Sequence, residues 1–384
     1  MKLLYVVGGP RVIQKVKSFF LNNLVLINLL LLVSMPLQKS HGLQVEDLYS
    51  YQVLVDNESD SERSRAFQEA FKAVILKVTG DRRWLVEPAV ERAIANAQSY
   101  VEGIQYGSRI STQFLSIDNN DLQSLGRERF IEVRFASSLI QDLLLSANIP
   151  VWTSNRPSVL VWMVLQNSAG NRTLFTPELN PEISEYIENF ARIRAIPIIF
   201  PVLDFEDREN LSEEDVWSLD AEKIVQASNR YGADSILSGR LHFTSLGELI
   251  GLWQFIFQGD IEVFDGVEEN LDAYLEEPLD RITNQLASYF AIAPQIRPLA
   301  TVQLKVEGIS DLSAYSSLMN YVSGLGLVQN AKASSLNGEI LELELDLLGG
   351  SAELFELIGL DRDLLPIQSS QRDDLKVLHY RWTR

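Results

Sequence analysis

The sequence predicts a multidomain protein of mixed α/β and α+β class, with a central α/β sheet domain and a C-terminal ferredoxin-like βαββαβ unit. Two patterns carry this prediction. Between residues 158 and 243, strands and helices alternate, which is the order of a parallel sheet with crossover helices. From residue 301 the order is strand, helix, two strands, helix and strand, which is the order of a ferredoxin-like plait. With 384 residues, 46% of them apolar, the chain is long enough for more than one core.

The first 42 residues have the pattern of a secretory signal peptide. Basic side chains precede an apolar run from Leu24 to Val33, and the small residues Ser40 and Gly42 mark a cleavage point before Leu43. An uncleaved anchor is one alternative, although three asparagines interrupt the apolar stretch and would leave amide groups without partners in hydrocarbon. A wrongly assigned start is another. The signal peptide predicts a periplasmic protein, and the anchor predicts one held in the inner membrane and facing the periplasm.

Composition excludes several kinds of chemistry. The chain has no cysteine, which excludes disulfides, thiolate catalysis, iron–sulfur clusters and cysteine zinc sites. The net charge is −19, and the leader contains basic residues but no acidic one, so the rest of the chain is more negative still. This charge repels nucleic acids and anionic lipid headgroups. We therefore expect no nucleic-acid partner and membrane contact only through an uncleaved leader, whereas a basic protein or a loosely held divalent cation suits this surface.

Residues 43–150 are predicted to form an α+β unit. A strand from Leu48 to Val55 precedes a helix that a capping box of Ser59 and Glu62 begins and Gly80 ends. Apolar residues repeat along one face of this helix: Phe67, Ala70, Phe71, Val74, Ile75 and Val78. The remaining elements are a helix that begins at Pro88, strands at 103–110 and 127–135, and a helix at 137–147.

Residues 151–293 are predicted to form the central α/β unit. Its first strand, 158–166, is almost continuously apolar, as expected of a strand that is covered on both faces. The other elements, in chain order, are a helix at 181–194, a strand at 196–202, a helix at 212–231, a strand at 235–243, a hairpin of 250–257 and 260–264, and a helix at 271–290.

A proline-containing linker after Ala293 leads to the C-terminal unit, residues 300–384. The predicted elements, in chain order, are a strand at 301–306, a helix at 311–322, strands at 327–333 and 339–345, a helix at 351–358 and a strand at 376–382. Asn337 and Gly338 are predicted to be the central residues of the hairpin turn, because both tolerate a positive φ. This plait serves many unrelated functions, so the fold alone predicts no activity.

Residues that carry chemistry are few. There are three histidines, of which His41 lies at the edge of the leader. His242 and His379 have no partner histidine at the spacing of a metal site and are assigned structural roles. The chain has no nucleophile elbow, zinc-protease helix or phosphate-binding loop. We therefore assign no catalytic residue, no cofactor site and no metal site.

An acidic loop after the strand at 196–202 is the strongest candidate for an interaction or ligand site. It follows the carboxyl end of a predicted parallel strand, where open α/β sheets bind ligands. Helix-start electrostatics also account for part of it, because Ser212 is followed by acidic residues. The candidate residues, including nearby basic and aromatic side chains, are Asp204, Glu206, Asp207, Asp215, Trp217, Arg156 and Arg240.

A series of short motifs extends along most of the chain. They are, in chain order, Val78 to Asp81, Asn155 to Pro157, Val159 to Trp162, Pro201 to Asp204, Glu206 and Asp207, Asp215 to Trp217, and Tyr231 to Asp234 with Gly239 and Arg240. This series resembles the exported proteobacterial family DUF2066. This resemblance implies an envelope protein of Gram-negative bacteria with no established activity.

From Arg230 to Arg240, part of the central unit has a pattern of helix, Gly-Ala-Asp, strand and Gly. This pattern is similar to that of the TolB amino-terminal domain and of envelope lipoproteins related to the curli secretion channel. It implies a binding or assembly module. The same glycines have a packing explanation, because Gly232 suits a left-handed helix end and Gly239 relieves a crowded strand.

Two functional classes remain after this survey. The first is an exported envelope protein that acts as a non-enzymatic binding or assembly module, with an envelope protein as its partner. The second is a periplasmic hydrolase that uses carboxylates of residues 204–215 as general acid, general base or metal ligand. The lack of every nucleophile motif favours the first class.

Overall fold

A computed structural model describes residues 47–110, 127–244, 249–268, 270–293, 300–360, 363–367 and 377–383. Within these ranges, strands form three sheets and helices pack against them, which confirms the mixed α/β and α+β class. Each sheet takes its strands from one of the three predicted segments. The leader and the linker at 294–299 lie outside the described residues.

The first sheet is antiparallel, with β1 (Ser50–Leu54), β2 (Val101–Ile110) and β3 (Arg127–Phe135) in the order β1-β3-β2. Helix α1 (Asp60–Thr79) packs on it through the apolar face that the sequence predicts, and every residue of that face is buried. The segment also contains α2 (Pro88–Ala95) and α3 (Ser137–Ser146). Its own core therefore forms between one sheet and its helices.

The capping box at the start of α1 is only half formed. The Ser59 side chain accepts from the Glu62 N–H, as predicted. The Glu62 carboxylate, however, accepts from the Asp56 N–H at 3.2 Å, and the Ser59 N–H donates to the side chain of Asn57. The turn before the helix thus supplies the second partner itself, because an Asn side chain readily bonds the backbone two residues on.

Lys77 is a buried cation on α1, and its lowered pKa predicts how the stability of the protein depends on pH. Its ammonium donates to the Ser50 carbonyl at 3.0 Å, and burial lowers its pKa from 10.5 to about 8. The unfolded chain therefore keeps this proton to a higher pH than the folded protein does, so stability rises as pH rises through the folded pKa. From pH 8 to 9.5 we expect a gain of about 1.5 kcal/mol in the free energy of unfolding that Lys77→Met lacks. Urea titrations at several pH values measure this difference, and parallel curves for the two proteins would contradict it.

The central sheet is mixed. Its strands are β4 (Val159–Gln166), β5 (Arg172–Leu174), β6 (Ile198–Ile199), β7 (Ser235–Phe243), β8 (Leu249–Phe257) and β9 (Asp260–Glu268). The order is β5-β4-β7-β8-β9, with β6 also on β4. As predicted, β4 runs parallel to both β6 and β7, and β8 and β9 form a hairpin. Its helices are α4 (Pro181–Arg194), α5 (Phe205–Asn210), α6 (Glu213–Trp217), α7 (Ala221–Ser228) and α8 (Leu271–Phe290).

Two predictions for this unit were wrong in extent. The strand at 196–202 is only two residues long, because Pro197 and Pro201 have no N–H to donate to a ladder. The helix at 212–231 is broken into α6, α7 and a short 3₁₀ turn, because Leu219 adopts a positive φ of 56° and Asp220 begins a new helix. The expectations for Gly232 and Gly239 were confirmed, since Gly232 is left-handed and a Cβ at Gly239 would clash with Trp253.

The C-terminal sheet contains β10 (Ala300–Glu307), β11 (Val328–Asn337), β12 (Ile340–Leu347), β13 (Leu364–Pro366) and β14 (Val377–Trp382) in the order β11-β12-β10-β14-β13. Helices α9 (Leu312–Gly324) and α10 (Ser351–Leu360) complete it. The predicted strand and helix order is present, with one addition. The sequence analysis missed β13, which pairs antiparallel with β14. Because of this extra strand, β14 runs parallel to β10, so the sheet departs from the predicted ferredoxin-like plait, in which the last strand runs antiparallel to the first.

The hairpin turn between β11 and β12 is shifted by one residue from the prediction. Asn337 pairs with Ile340, so the loop residues are Gly338 and Glu339, and Gly338 alone of these has a positive φ.

The second and third segments share one continuous apolar core, which extends from Trp152 to Trp382. A separate cluster lies between β4 and helices α5 to α7 and supports the acidic loop.

Candidate functional site

The acidic loop begins with Asp204, which is the N-cap of α5. Its carboxylate accepts two hydrogen bonds from the guanidinium of Arg230, at 2.7 and 2.8 Å. Together with the N–H of Asp207, this guanidinium holds the pKa of Asp204 down at about 2. Arg230 also donates to Asp207 at 3.0 Å. The two carboxylates therefore converge on one arginine.

Asp207 is the buried member of this group, with 1% of its surface exposed. It accepts from the Leu203 N–H at 2.9 Å and from the Tyr231 hydroxyl. That hydroxyl in turn accepts from the Val202 N–H at 2.9 Å. Burial, and then the bond to Asp207, raise the pKa of Tyr231. These bonds hold Leu203 in the left-handed region, at a φ of 52°.

The result is a rigid turn that directs apolar side chains outward. Val202 is 73% exposed and Phe205 is 81% exposed. They lie on either side of Leu203 and Asp204, which the hydrogen bonds to Asp207 and Arg230 hold in place. Single exposed apolar side chains are common on protein surfaces, whereas neighbouring ones mark interaction sites. We call residues 202–207 the outward turn.

Asp215 belongs to a second helix start. It forms a capping box with Ser212 and an ion pair with Lys223, and these partners hold its pKa at about 2. A general acid or base works best with a pKa near the working pH. Asp204 and Asp215 are therefore ionised at neutral pH and poorly suited to proton transfer.

Trp217 and Arg240 adjoin the acidic loop. Arg240 donates to the Trp217 carbonyl at 2.9 Å, and the guanidinium of Arg172 lies 4.1 Å from the Trp217 ring centre. Arg172 also pairs with Glu214. The exposed carboxylate of Glu206 lies 3.6 Å from Arg230. The structure thus brings six of the seven sequence-predicted residues to one region of the central unit.

Arg156, the seventh residue, lies elsewhere, at the contact between the first and second segments. It is 3% exposed and donates to the carbonyls of Lys77 and Trp152 at 2.6 and 2.9 Å. Its guanidinium lies 3.8 Å from the Trp152 ring centre. These carbonyls include one that the C-terminal turn of α1 leaves without a helical partner, so Arg156 caps that helix.

Two of the sequence motifs, Val78 to Asp81 and Asn155 to Pro157, lie at this contact. The Val78 carbonyl accepts from the Trp152 N–H at 2.7 Å, and the Gly80 carbonyl accepts from Arg194 at 2.7 Å. Similarly, Asp234 accepts from both the N–H and the hydroxyl of Ser158 at 2.7 Å and so ties the starts of β4 and β7 together. Val78, Gly80 and Asp234 of the sequence motifs therefore make contacts between secondary-structure elements.

Sequence reasoning missed Arg230 and Tyr231 as partners of the acidic loop. Both belong to the Arg-Tyr-Gly-Ala-Asp pattern, but their separation from Asp207 by more than twenty residues gave no local sign of contact.

Among the described residues, no three acidic or histidine side chains are arranged to hold a metal ion. The described helices include none with the length and apolarity needed to cross a membrane.

The hydroxyl of Tyr231 provides a direct test of the outward turn. Tyr231→Phe removes a donor to buried Asp207 and an acceptor for Val202, so we expect a loss of about 1–3 kcal/mol in the free energy of unfolding. Tyr289→Phe is the matched control, because its hydroxyl bonds the exposed side chain of Gln258 at 2.9 Å. Urea unfolding measures both, and an equal effect of the two changes would refute the role of Tyr231.

Three comparisons relate the chain to known proteins. A search of curated proteins gives no match. Among solved structures, the LpoB C-terminal domain from Salmonella enterica is similar, with 16% identity over 30% of this chain and 83% of that chain and a TM-score of 0.22. An uncharacterized protein has 11% identity over 35% of this chain and 95% of that chain, with a TM-score of 0.14. At the family level, residues 43–153 match DUF8605, a domain of unknown function.

Proposed function

We propose that this chain is an exported envelope protein that acts as a non-enzymatic binding or assembly module through its outward turn. The observation that carries the proposal is the exposure of Val202 and Phe205 on a turn held by Arg230, Tyr231 and buried Asp207. Aromatic side chains dominate the energetics of protein interfaces. A turn held rigid before binding also loses less entropy when a partner docks.

The partner of this turn is a protein with an apolar pocket and a basic rim. Phe205 lies between Asp204 and Glu206 in the chain, and the side chain of Glu206 is 62% exposed. Opposite charge on the partner would speed the encounter and fix its orientation. The Asp204 and Asp215 carboxylates already serve helix starts and are paired with Arg230 and Lys223, which favours binding over the hydrolase alternative.

Export to the periplasm, with an inner-membrane anchor as the alternative, rests on the leader pattern, and the resemblance to DUF2066 belongs to the same proposal. Osmotic-shock fractionation of cells that express the full chain tests this part. Release with the periplasmic fraction supports a cleaved leader, and retention in the inner membrane with protease accessibility from the periplasmic side supports an anchor. A cytoplasmic location would refute the envelope assignment.

Site-specific photo-crosslinking tests the binding role. A benzophenone amino acid placed at Phe205 is expected to give a single dominant adduct in cells, identified by mass spectrometry. The matched control is the same amino acid at Leu312, which is 78% exposed but lies on α9 in the third segment. Charge-reversing Glu206→Lys should weaken the adduct at 205. Equal adducts from both positions, or none from 205, would contradict the proposal.

A further inference from the structure

A second candidate site is a groove made by two neighbouring cavities of about 630 and 580 Å³. They share Ile292, Ala293 and Leu348, so they are continuous. The first is lined by residues of all three segments, including Leu48 and Tyr49 from the first and Gly324 from the third. The second extends to α10. None of the residues of the outward turn lines either cavity.

The walls of the groove are mainly apolar. Leu48, Val151 and Leu348 line the first cavity, and Leu327 and Leu357 line the second. Leu145 of the first cavity is 41% exposed and Tyr289 of the second is 47% exposed, so both cavities open to the solvent. Concave apolar surfaces of this volume are typical of binding sites.

Polar groups along the first cavity suit a peptide backbone. They are hydroxyl and amide side chains, which both donate and accept hydrogen bonds: Gln141, Thr153, Ser154 and Gln329. The amide of Gln141 already donates to the Tyr49 hydroxyl at 3.0 Å, so this pair is held in place. A purely aliphatic occupant would leave such groups without partners, whereas a peptide can satisfy them.

The charges of the groove have one sign. Asp142 lies in the first cavity, and Glu353 and Glu356 lie in the second, whereas none of the described lining residues is Lys, Arg or His. A cleft lined with one sign of charge and low-dielectric walls concentrates ions of the opposite sign. The groove therefore selects for a positive occupant.

We infer that this groove binds an extended apolar peptide segment that carries lysine or arginine side chains. The apolar side chains would occupy the walls, the backbone would bond the polar side chains of the first cavity, and the cations would face Asp142, Glu353 and Glu356. The inference is independent of the outward turn, so each can fail without the other.

Three fluorescein-labelled peptides of equal length test the chemistry on protein purified from cells that express the full chain. One alternates leucine with lysine, the second replaces lysine with glutamate, and the third replaces leucine with glycine. Fluorescence anisotropy is expected to show at least about tenfold tighter binding of the first peptide than of either other peptide. Equal binding of the glycine-lysine peptide would reveal attraction to the acidic surface only and would overturn the inference.

Two glycine variants locate the site. Gly324 lines the groove and a Cβ there meets no atom within 4 Å, so Gly324→Leu adds a side chain beside the groove with no clash at its Cβ. Gly359→Leu is the matched control, because Gly359 is also helical and equally free of neighbours but lines neither cavity. We expect Gly324→Leu alone to weaken the leucine-lysine peptide by roughly tenfold.

Charge and ligand size are tested separately. Asp142→Asn with Glu353→Gln should weaken the same peptide and reduce the salt dependence of its binding. Gln at 353 retains an oxygen that can accept the hydrogen bond that the Gly350 N–H donates to Glu353, so this contact is kept. The neutral dye N-phenyl-1-naphthylamine serves as a probe for small apolar ligands. If Gly324→Leu abolishes dye binding but leaves peptide binding unchanged, the groove takes small apolar molecules and the peptide inference is wrong.

Discussion

Replacing Arg194 with methionine is expected to lower the free energy of unfolding by about 3–5 kcal/mol. The Arg194 side chain is fully buried and donates to the Gly80 carbonyl at 2.7 Å, to the Asn284 side chain at 2.8 Å and to the Asp280 carboxylate. Burial already raises the pKa of Asp280. Without the guanidinium, a largely buried carboxylate and a helix C-terminal carbonyl would both lose a partner, and the loss would not be offset by added apolar packing.

Arg82→Met is the matched control for this prediction. Arg82 pairs with the same carboxylate, with its Nε 3.3 Å from Asp280, but half of its side chain is exposed. Ion pairs at such exposure contribute roughly 0–1 kcal/mol. Urea unfolding of the two variants separates the cases, and similar losses for both would show that Arg194 acts as an ordinary surface charge.

Replacing Gly80 with alanine is expected to cost about 3 kcal/mol, because two penalties combine. Gly80 has a φ of 71°, which an L side chain rarely adopts, and its added Cβ would lie closer than 3.0 Å to both Ala287 and the Trp152 ring. Either the α1 end or the Trp152 ring must then move, which disturbs the contact between the first two segments.

Gly338→Ala separates the two penalties. Gly338 has a similar φ of 63°, but a Cβ there meets no atom within 4 Å. Its expected cost is about 1 kcal/mol, the backbone penalty alone. Thermal and urea unfolding of both variants give the comparison. If Gly80→Ala costs no more than Gly338→Ala, the tight packing around Gly80 does not limit stability.

Local pattern was sufficient for the long elements. The 3.6-residue period predicted the apolar face of α1, and Gly80 predicted its end. Pro181 marked the start of α4, and the ends of α8 were also predicted. These signals act within one or two turns of the chain, so they are present in the sequence itself. Short elements are different. Strand β13 has only three residues, and its pairing with β14 specifies it more than its own composition does.

The candidate site shows the same division. Asp204, Asp207 and Asp215 were identified from the charge pattern after a short strand, and the roles of Asp204 and Asp215 at helix starts follow from neighbours three residues away. The convergence of Asp204 and Asp207 on Arg230 was not predictable, because that arginine is 23 residues from Asp207 along the chain. Arg156 was grouped with the loop although it caps α1 instead.

The sequence by itself determined the class of fold, the long helices, the absence of cysteine chemistry and the acidic character of the surface. Only the tertiary structure decided which carboxylates are buried, which apolar side chains remain exposed on the outward turn, and where three segments enclose a groove. The physical reason is the distance along the chain between the residues that interact. Helix periodicity and capping depend on residues within a few positions, whereas burial and charge pairing depend on contacts that the chain makes only after its sheets have packed.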